Sequence, residues 1–135
     1  MAVDMVVSVG SSDDIVVARQ AGRDLAAAIG FSLTDLTLIA TAISELARNI
    51  TSYAGSGEIR LTAINEDARV GIVVEAIDEG PGIADLKQAL VDGFSTSSGM
   101  GLGLPGARRL MDEFEIHSQV GRGTTVIMRK WVRDG

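Results

Sequence analysis

The chain has 135 residues, enough for one compact domain, and its 46% apolar content with only 4% aromatics points to a core of Val, Ile, Leu and Ala. A formal charge of −6 and a pI near 4.6 oppose a phosphate backbone or an anionic bilayer surface, so neither a nucleic-acid nor a membrane partner is expected. With no cysteine, no apolar run of about 20 residues and no basic, long-apolar start, the sequence reads as a single cytoplasmic domain over residues 1–135, without disulfides or thiolate metal sites.

In chain order, MVVSV reads as a short strand, after which Ser11 or Ser12 is expected to cap a helix. Ile15, Ala18, Gly22, Leu25, Ala26 and Ile29 recur at helical spacing, and Gly30 provides a left-handed stop. A second helix is predicted from about Thr34 to about Tyr53, with Leu36, Ile39, Ile43, Ala47 and Ile50 as its core stripe. Leu38, Ala42, Glu45 and Asn49 form a second row that mixes apolar and polar groups, a composition that implies cover by another element.

EIRLTAI and RVGIVVEAI read as an antiparallel hairpin joined through Asn65, Glu66 and Asp67. DEGPG breaks the pattern, a short helix is predicted over ADLKQALVD, and a glycine-rich stretch follows. Pro105 suits the first turn of a further helix, PGARRLMDEF, because the N–H it lacks has no partner there in any case. FEIHSQV and TTVIMRKWV are alternating strands around Gly121-Arg122-Gly123. The expected architecture is a two-layer α/β sandwich, a mixed and mostly antiparallel sheet with helices on one face. Its other face is expected to be either polar or covered by a partner.

The stretch DGFSTSSGMGLGLPG holds five of the sixteen glycines. Gly101 to Gly106 matches GxGxxG literally, but a dinucleotide loop must leave a buried strand and this one follows FSTSS; no Lys-Ser or Lys-Thr follows for a Walker loop. A flexible connector and a phosphate lid, Phe94 to Met100, both remain open on these residues alone. Three separated features favour the lid. Glu45 and Asn49, four residues apart on one helix, stand about 40° apart and one turn apart, so both polar groups reach one small volume. Asp78 ends an apolar strand and precedes Gly80 and Gly82, where a flat ligand can approach the backbone and an exocyclic amine can be bonded. Gly99, Gly101 and Gly103 precede a helix whose N-terminal amides suit phosphate.

SELARN (44–49), DEGPG (78–82), GMGLG (99–103) and Gly123-Thr124 together resemble, in order, the four boxes of the Bergerat, or GHKL, ATP-binding fold. TAISELARNI and DGFSTSSGMGLGLPGARRLMDEF resemble the bacterial serine/threonine switch kinases of stress and sporulation signalling within it. The resemblance implies that ATP and Mg²⁺ are the cofactors, with Asn49 as the metal ligand and Glu45 as the general base. It implies that Asp78 reads the adenine amino group and that Gly80, Gly82, Ile83, Thr96, Gly99, Gly101, Leu102, Gly103, Leu104 and Thr124 complete the nucleotide contacts, with Asn49 among them. It further implies a serine of a STAS-domain protein as substrate and a PP2C-type phosphatase activated by the freed kinase. An anti-sigma factor that sequesters a sigma subunit, its kinase activity secondary, is the alternative.

Ser95 to Ser98 suit either phosphate bonding or solubility of the loop. Arg48, about 100° around the helix from Asn49, reads as a surface or partner contact, and His117 as a structural or surface strand residue. Trp131 reads as either a cover for the sheet or a docking anchor.

Overall fold

A computed structural model describes residues 4–82 and 103–133. The helix predicted over 84–92, the lid, and Ile83, Thr96, Gly99, Gly101 and Leu102 lie outside the described residues.

Strand β1, Asp4–Val9, leads into α1, Ser12–Ile29. The expected serine cap is not formed: Ser11 has extended backbone and no side-chain cap bond. Instead Asp14 in the first turn reaches back and accepts the Gly10 N–H at 2.8 Å, where a carboxylate also meets the favourable end of the helix dipole. Gly30 ends α1 as expected, at φ 113°, its N–H shared between the Ala26 and Ala27 carbonyls.

Helix α2, Leu33–Asn49, is capped by Ser32, whose Oγ accepts from the Asp35 N–H. The α-helix was expected to run on to about Tyr53, but it widens after Asn49 into a π-helical turn, Ile50–Ala54. Thr51 Oγ1 donates to the Arg48 carbonyl and Gly55 N–H reaches back five residues to Ile50, so the α spacing is lost at that point.

The hairpin partners are β2, Gly57–Glu66, and β3, Arg69–Asp78. Glu66 pairs with Arg69, so the turn is the two residues Asp67 and Ala68, and Asn65 and Glu66 of the expected Asn65–Asp67 connection belong to the strand. After α3, Gly103–Leu110, come β4, Glu113–Gln119, and β5, Gly123–Trp131. Helix α3 begins two residues before Pro105 and stops short of the expected Phe114. Asp112 is drawn into the sheet, its N–H on the Arg129 carbonyl and its carboxylate accepting the Trp131 N–H at 2.9 Å.

The strands are ordered β1-β2-β3-β5-β4, and all four pairings are antiparallel; the parallel component of the expected mixed sheet is not found among the described residues. Alternation of side chains puts Ile59, Leu61, Ile72, Val74, Ala76, Val126 and Met128 on one face, all buried against the helices. Asp78 and Thr124 are opposite one another on that same face, in register with Ala76–Val126 and Val74–Met128. Gly22 is where α1 crosses α2: a Cβ added there falls 2.0 Å from Ile43 Cδ1.

The opposite face is charged rather than bare. Glu58 pairs with Arg60, Arg129 with Glu115 and Glu113, and Trp131 lies beneath Arg69, whose guanidinium carbon is 4.0 Å from the ring centroid. Trp131 covers the sheet over Gly71, where a Cβ would meet the indole at 2.8 Å, and its Nε1–H donates to Glu113. His117 is exposed at the β4 edge beside Glu115, in line with a surface role.

Candidate nucleotide site

Helix α2 packs against α3, and Glu45 of its second row bonds the first residue of α3. Ala42 is wholly buried and Glu45 is 6% exposed, which answers why a face of mixed composition belongs on this helix. The Glu45 carboxylate is held at both oxygens. Arg48 Nη1 donates to Oε1 at 2.9 Å, and the N–H of Gly103, the first residue of α3, donates to Oε2 at 2.9 Å. A buried anion thus caps the helix that was expected to receive phosphate, using the amide and the dipole that a phosphate would use.

Arg48, expected as a surface or partner contact, does expose 37% of its side chain, yet it lies three residues after Glu45 on the same helix and forms an ion pair with it. The i,i+3 spacing of Glu and Arg in the sequence is the signal of this pair. Asn49 is the last residue of α2, half-buried, one turn beyond Glu45, with no side-chain hydrogen bond among the described residues.

The other half of the site belongs to the sheet. Asp78 Oδ1 accepts two backbone N–H groups, from Gly80 at 2.9 Å and from Thr124 at 3.3 Å. That fixes the carboxylate and leaves Oδ2 without a hydrogen bond among the described residues, able to accept one from a ligand amine. Thr124, 6% exposed, shares a 2.8 Å hydroxyl–hydroxyl bond with Ser118 on β4. Ser118 was not foreseen, because only the register Ser118–Thr124 brings it there.

The glycines are also required by the packing of the loop itself. A Cβ on Gly80 would fall 2.6 Å from Ala54 Cβ, and one on Gly82, at φ 77°, 2.4 Å from the Gln119 carbonyl oxygen. They let the DEGPG loop pack against the π-helical turn and the β4–β5 turn, where Pro81 accepts the Gly121 N–H. Gly123 has the same function for β5: its Cβ would strike the Asp78 carbonyl oxygen at 2.1 Å. Leu104, expected among the nucleotide contacts, turns its side chain into the core at 5% exposure, so that position offers the site main chain only.

The structure therefore joins Glu45 to Gly103 and Asp78 to Thr124 directly, while the π-helical turn after Asn49 packs on β3 and links the two halves. A groove of about 490 Å³ adjoins Asp78 on the β1–β2 side, lined also by Gly10, Asp14 and Glu58, and contains none of Glu45, Asn49 and Gly103.

Residues 11–130 match the family described as histidine kinase-like ATPase domain. The chain belongs to that family. This family member is 51% identical, over 89% of its length and 90% of the relative's, to the serine/threonine-protein kinase RsbT of Bacillus subtilis (strain 168). It is 32% identical to an anti-sigma F factor of Caldanaerobacter subterraneus subsp. tengcongensis, over 85% of this chain and 83% of the other. Among solved structures, the RsbU and RsbW domains of a Mycobacterium tuberculosis protein superpose at TM-score 0.67 and 20% identity, covering 100% of this chain and 34% of that longer one. The SiaB–SiaC complex of Pseudomonas aeruginosa gives 0.58 and 15% identity, covering 95% and 89%. At those identities the two structures speak for the fold of this ATPase-domain family alone.

Proposed function

We propose that the chain is an ATP-dependent protein serine/threonine kinase of a bacterial partner switch. Its substrate is a serine on a STAS-domain partner, and its release from that partner frees it to activate a PP2C-type phosphatase. The observation that carries the reading is the buried Glu45 carboxylate aimed at the first amide of α3, in a chain half identical to a serine/threonine kinase. Pairing with Arg48 and the Gly103 amide offsets the cost of burying this carboxylate, and its place beside a helix N-terminus is where a transferred phosphoryl group is best stabilised.

In this reading Asp78, held by Gly80 and Thr124, accepts the exocyclic amine of adenine through Oδ2. Gly103 N–H and its neighbours at the start of α3 receive phosphate oxygens. Glu45 orients the incoming serine hydroxyl and takes its proton as the Oγ–P bond forms and the bond to the leaving ADP oxygen breaks. Asn49 contributes an amide oxygen, a hard donor that fits Mg²⁺; the described residues contain no cluster of three or more acidic or imidazole ligands, so phosphate and water would complete such a shell. Bound Mg²⁺ supplies neutralisation of phosphate charge.

The test is transfer of label from γ-labelled ATP with Mg²⁺ to serine of a STAS-domain protein. Glu45→Gln is expected to cut the transfer rate by about 100-fold or more while keeping nucleotide binding. Transfer to no such partner, or full activity of Glu45→Gln, sinks the reading. Similarity to anti-sigma F factors supports one alternative, sequestration of a sigma subunit. Recovery of a sigma factor rather than a phosphatase in a pulldown decides for it.

A further inference from the structure

We propose that Arg48 is a positioning residue for Glu45, holding the carboxylate in place when its other donor is taken away. The inference rests on the reading of Glu45 as the base. Among the described residues each carboxylate oxygen has one donor, Arg48 Nη1 at Oε1 and the Gly103 N–H at Oε2, both at 2.9 Å. The two donors differ in kind. The Gly103 amide is at the start of α3, the place a phosphate oxygen takes in the proposed function, so a bound nucleotide competes with Glu45 for it. Arg48 is on the same helix as Glu45, three residues on, and needs no ligand-dependent movement to stay bonded.

Two consequences follow for a nucleotide-bound site. First, the carboxylate keeps a charge-assisted bond through Arg48 after losing the amide, so its orientation survives. Second, a carboxylate beside a polyphosphate is repelled by it, and the adjacent guanidinium offsets that repulsion. The backbone that carries Arg48 is itself anchored, since its carbonyl accepts Thr51 Oγ1 at 3.0 Å where the helix widens. Arg48 therefore acts through Glu45 on the chemical step, with no contact to nucleotide required.

The experiment compares steady-state transfer by the wild type, Arg48→Met, Arg48→Lys and Glu45→Gln, with nucleotide-induced thermal shift as an independent measure of binding. Arg48→Met is expected to lower kcat by about 10- to 100-fold, the worth of one charge-assisted hydrogen bond. KM for ATP, KM for the protein substrate and the thermal shift should each stay within about 2-fold of wild type, since ground-state binding is untouched. Arg48→Lys, which keeps a cation but not the planar fork, should fall between the two. A rise in KM for the protein substrate at unchanged kcat would make Arg48 a docking contact and overturn the proposal. So would an Arg48→Lys variant no better than Arg48→Met, or an Arg48→Met variant as active as wild type. If Glu45→Gln is inactive while Arg48→Met is normal, only this inference falls; if Glu45→Gln is fully active, the base assignment falls and this inference with it.

Discussion

Lys130 shows how much one buried charge can organise. It is 3% exposed on the helix-facing side of β5, at a position that alternation alone would give to an apolar residue. Its Nζ donates to the Leu110 carbonyl at 2.8 Å and lies 4.0 Å from Asp35 Oδ1. Leu110 is the last residue of α3, so the ammonium satisfies an orphan carbonyl at the negative end of that helix dipole. Asp35 is in the first turn of α2, so the same cation ties the beginning of one helix to the end of the other. Lys130→Met keeps the volume and removes the donor, leaving the Leu110 carbonyl unpaired and Asp35 without its cation. A loss of about 2–3 kcal/mol is expected in urea unfolding, the scale for stranding a buried polar partner. A loss below about 0.5 kcal/mol would mean that the ammonium contributes no more than packing.

At the level of elements, α3 is held to the body of the molecule by opposite charges at its two ends, Glu45 at Gly103 and Lys130 at Leu110. Periodicity made the apolar faces of α1 and α2 legible, as well as the strands, since both follow directly from burial on one side. It also marked the mixed row of α2 as covered, and Glu45 is found under α3. What it did not reveal is of two kinds. The early end of α3 depends on contacts distant in sequence, those of Asp112 with Arg129 and Trp131. The loss of α spacing after Asn49 and the Ser118–Thr124 pair are local, set by a π turn and by the hairpin register, neither of which apolar periodicity encodes. The β2–β3 turn is a subtler case. Asp67 at φ 49° and Ala68 at φ 67° both occupy the left-handed region, which a two-residue turn between twisted strands requires. An alanine there gives no glycine-like signal and carries strain. Ala68→Gly creates the preferred Asp-Gly pair and is expected to stabilise the fold by about 0.5–1 kcal/mol, a rise in Tm of about 2–4 °C. An unchanged or lower Tm would show that the added freedom of the unfolded chain outweighs the relief of strain.

For the whole molecule, the proposed nucleotide touches parts that are far apart in the chain: α2 through Asn49, β3 through Asp78, β5 through Thr124 and the start of α3 through Gly103. A ligand that bridges them binds only the folded state, so its free energy adds to the stability of the entire domain. At a nucleotide concentration about 100 times Kd the gain is about 2.7 kcal/mol, which for a chain of this size raises Tm by about 10 °C. Binding and chemistry then separate by residue. Asp78→Asn retains the Oδ1 acceptor for the Gly80 and Thr124 amides, so the loop is kept. Its new amide group, turned toward the ligand, opposes an adenine amine with a second donor, and the charge is gone. Affinity should fall about 10- to 100-fold, and at the same ATP concentration the thermal shift should shrink by at least half. Glu45→Gln, which removes the proton acceptor and leaves the adenine end of the site intact, should show the full shift with transfer cut by about 100-fold or more. A full shift in Asp78→Asn would remove this carboxylate from base recognition, and the sheet half of the site would then need another reader.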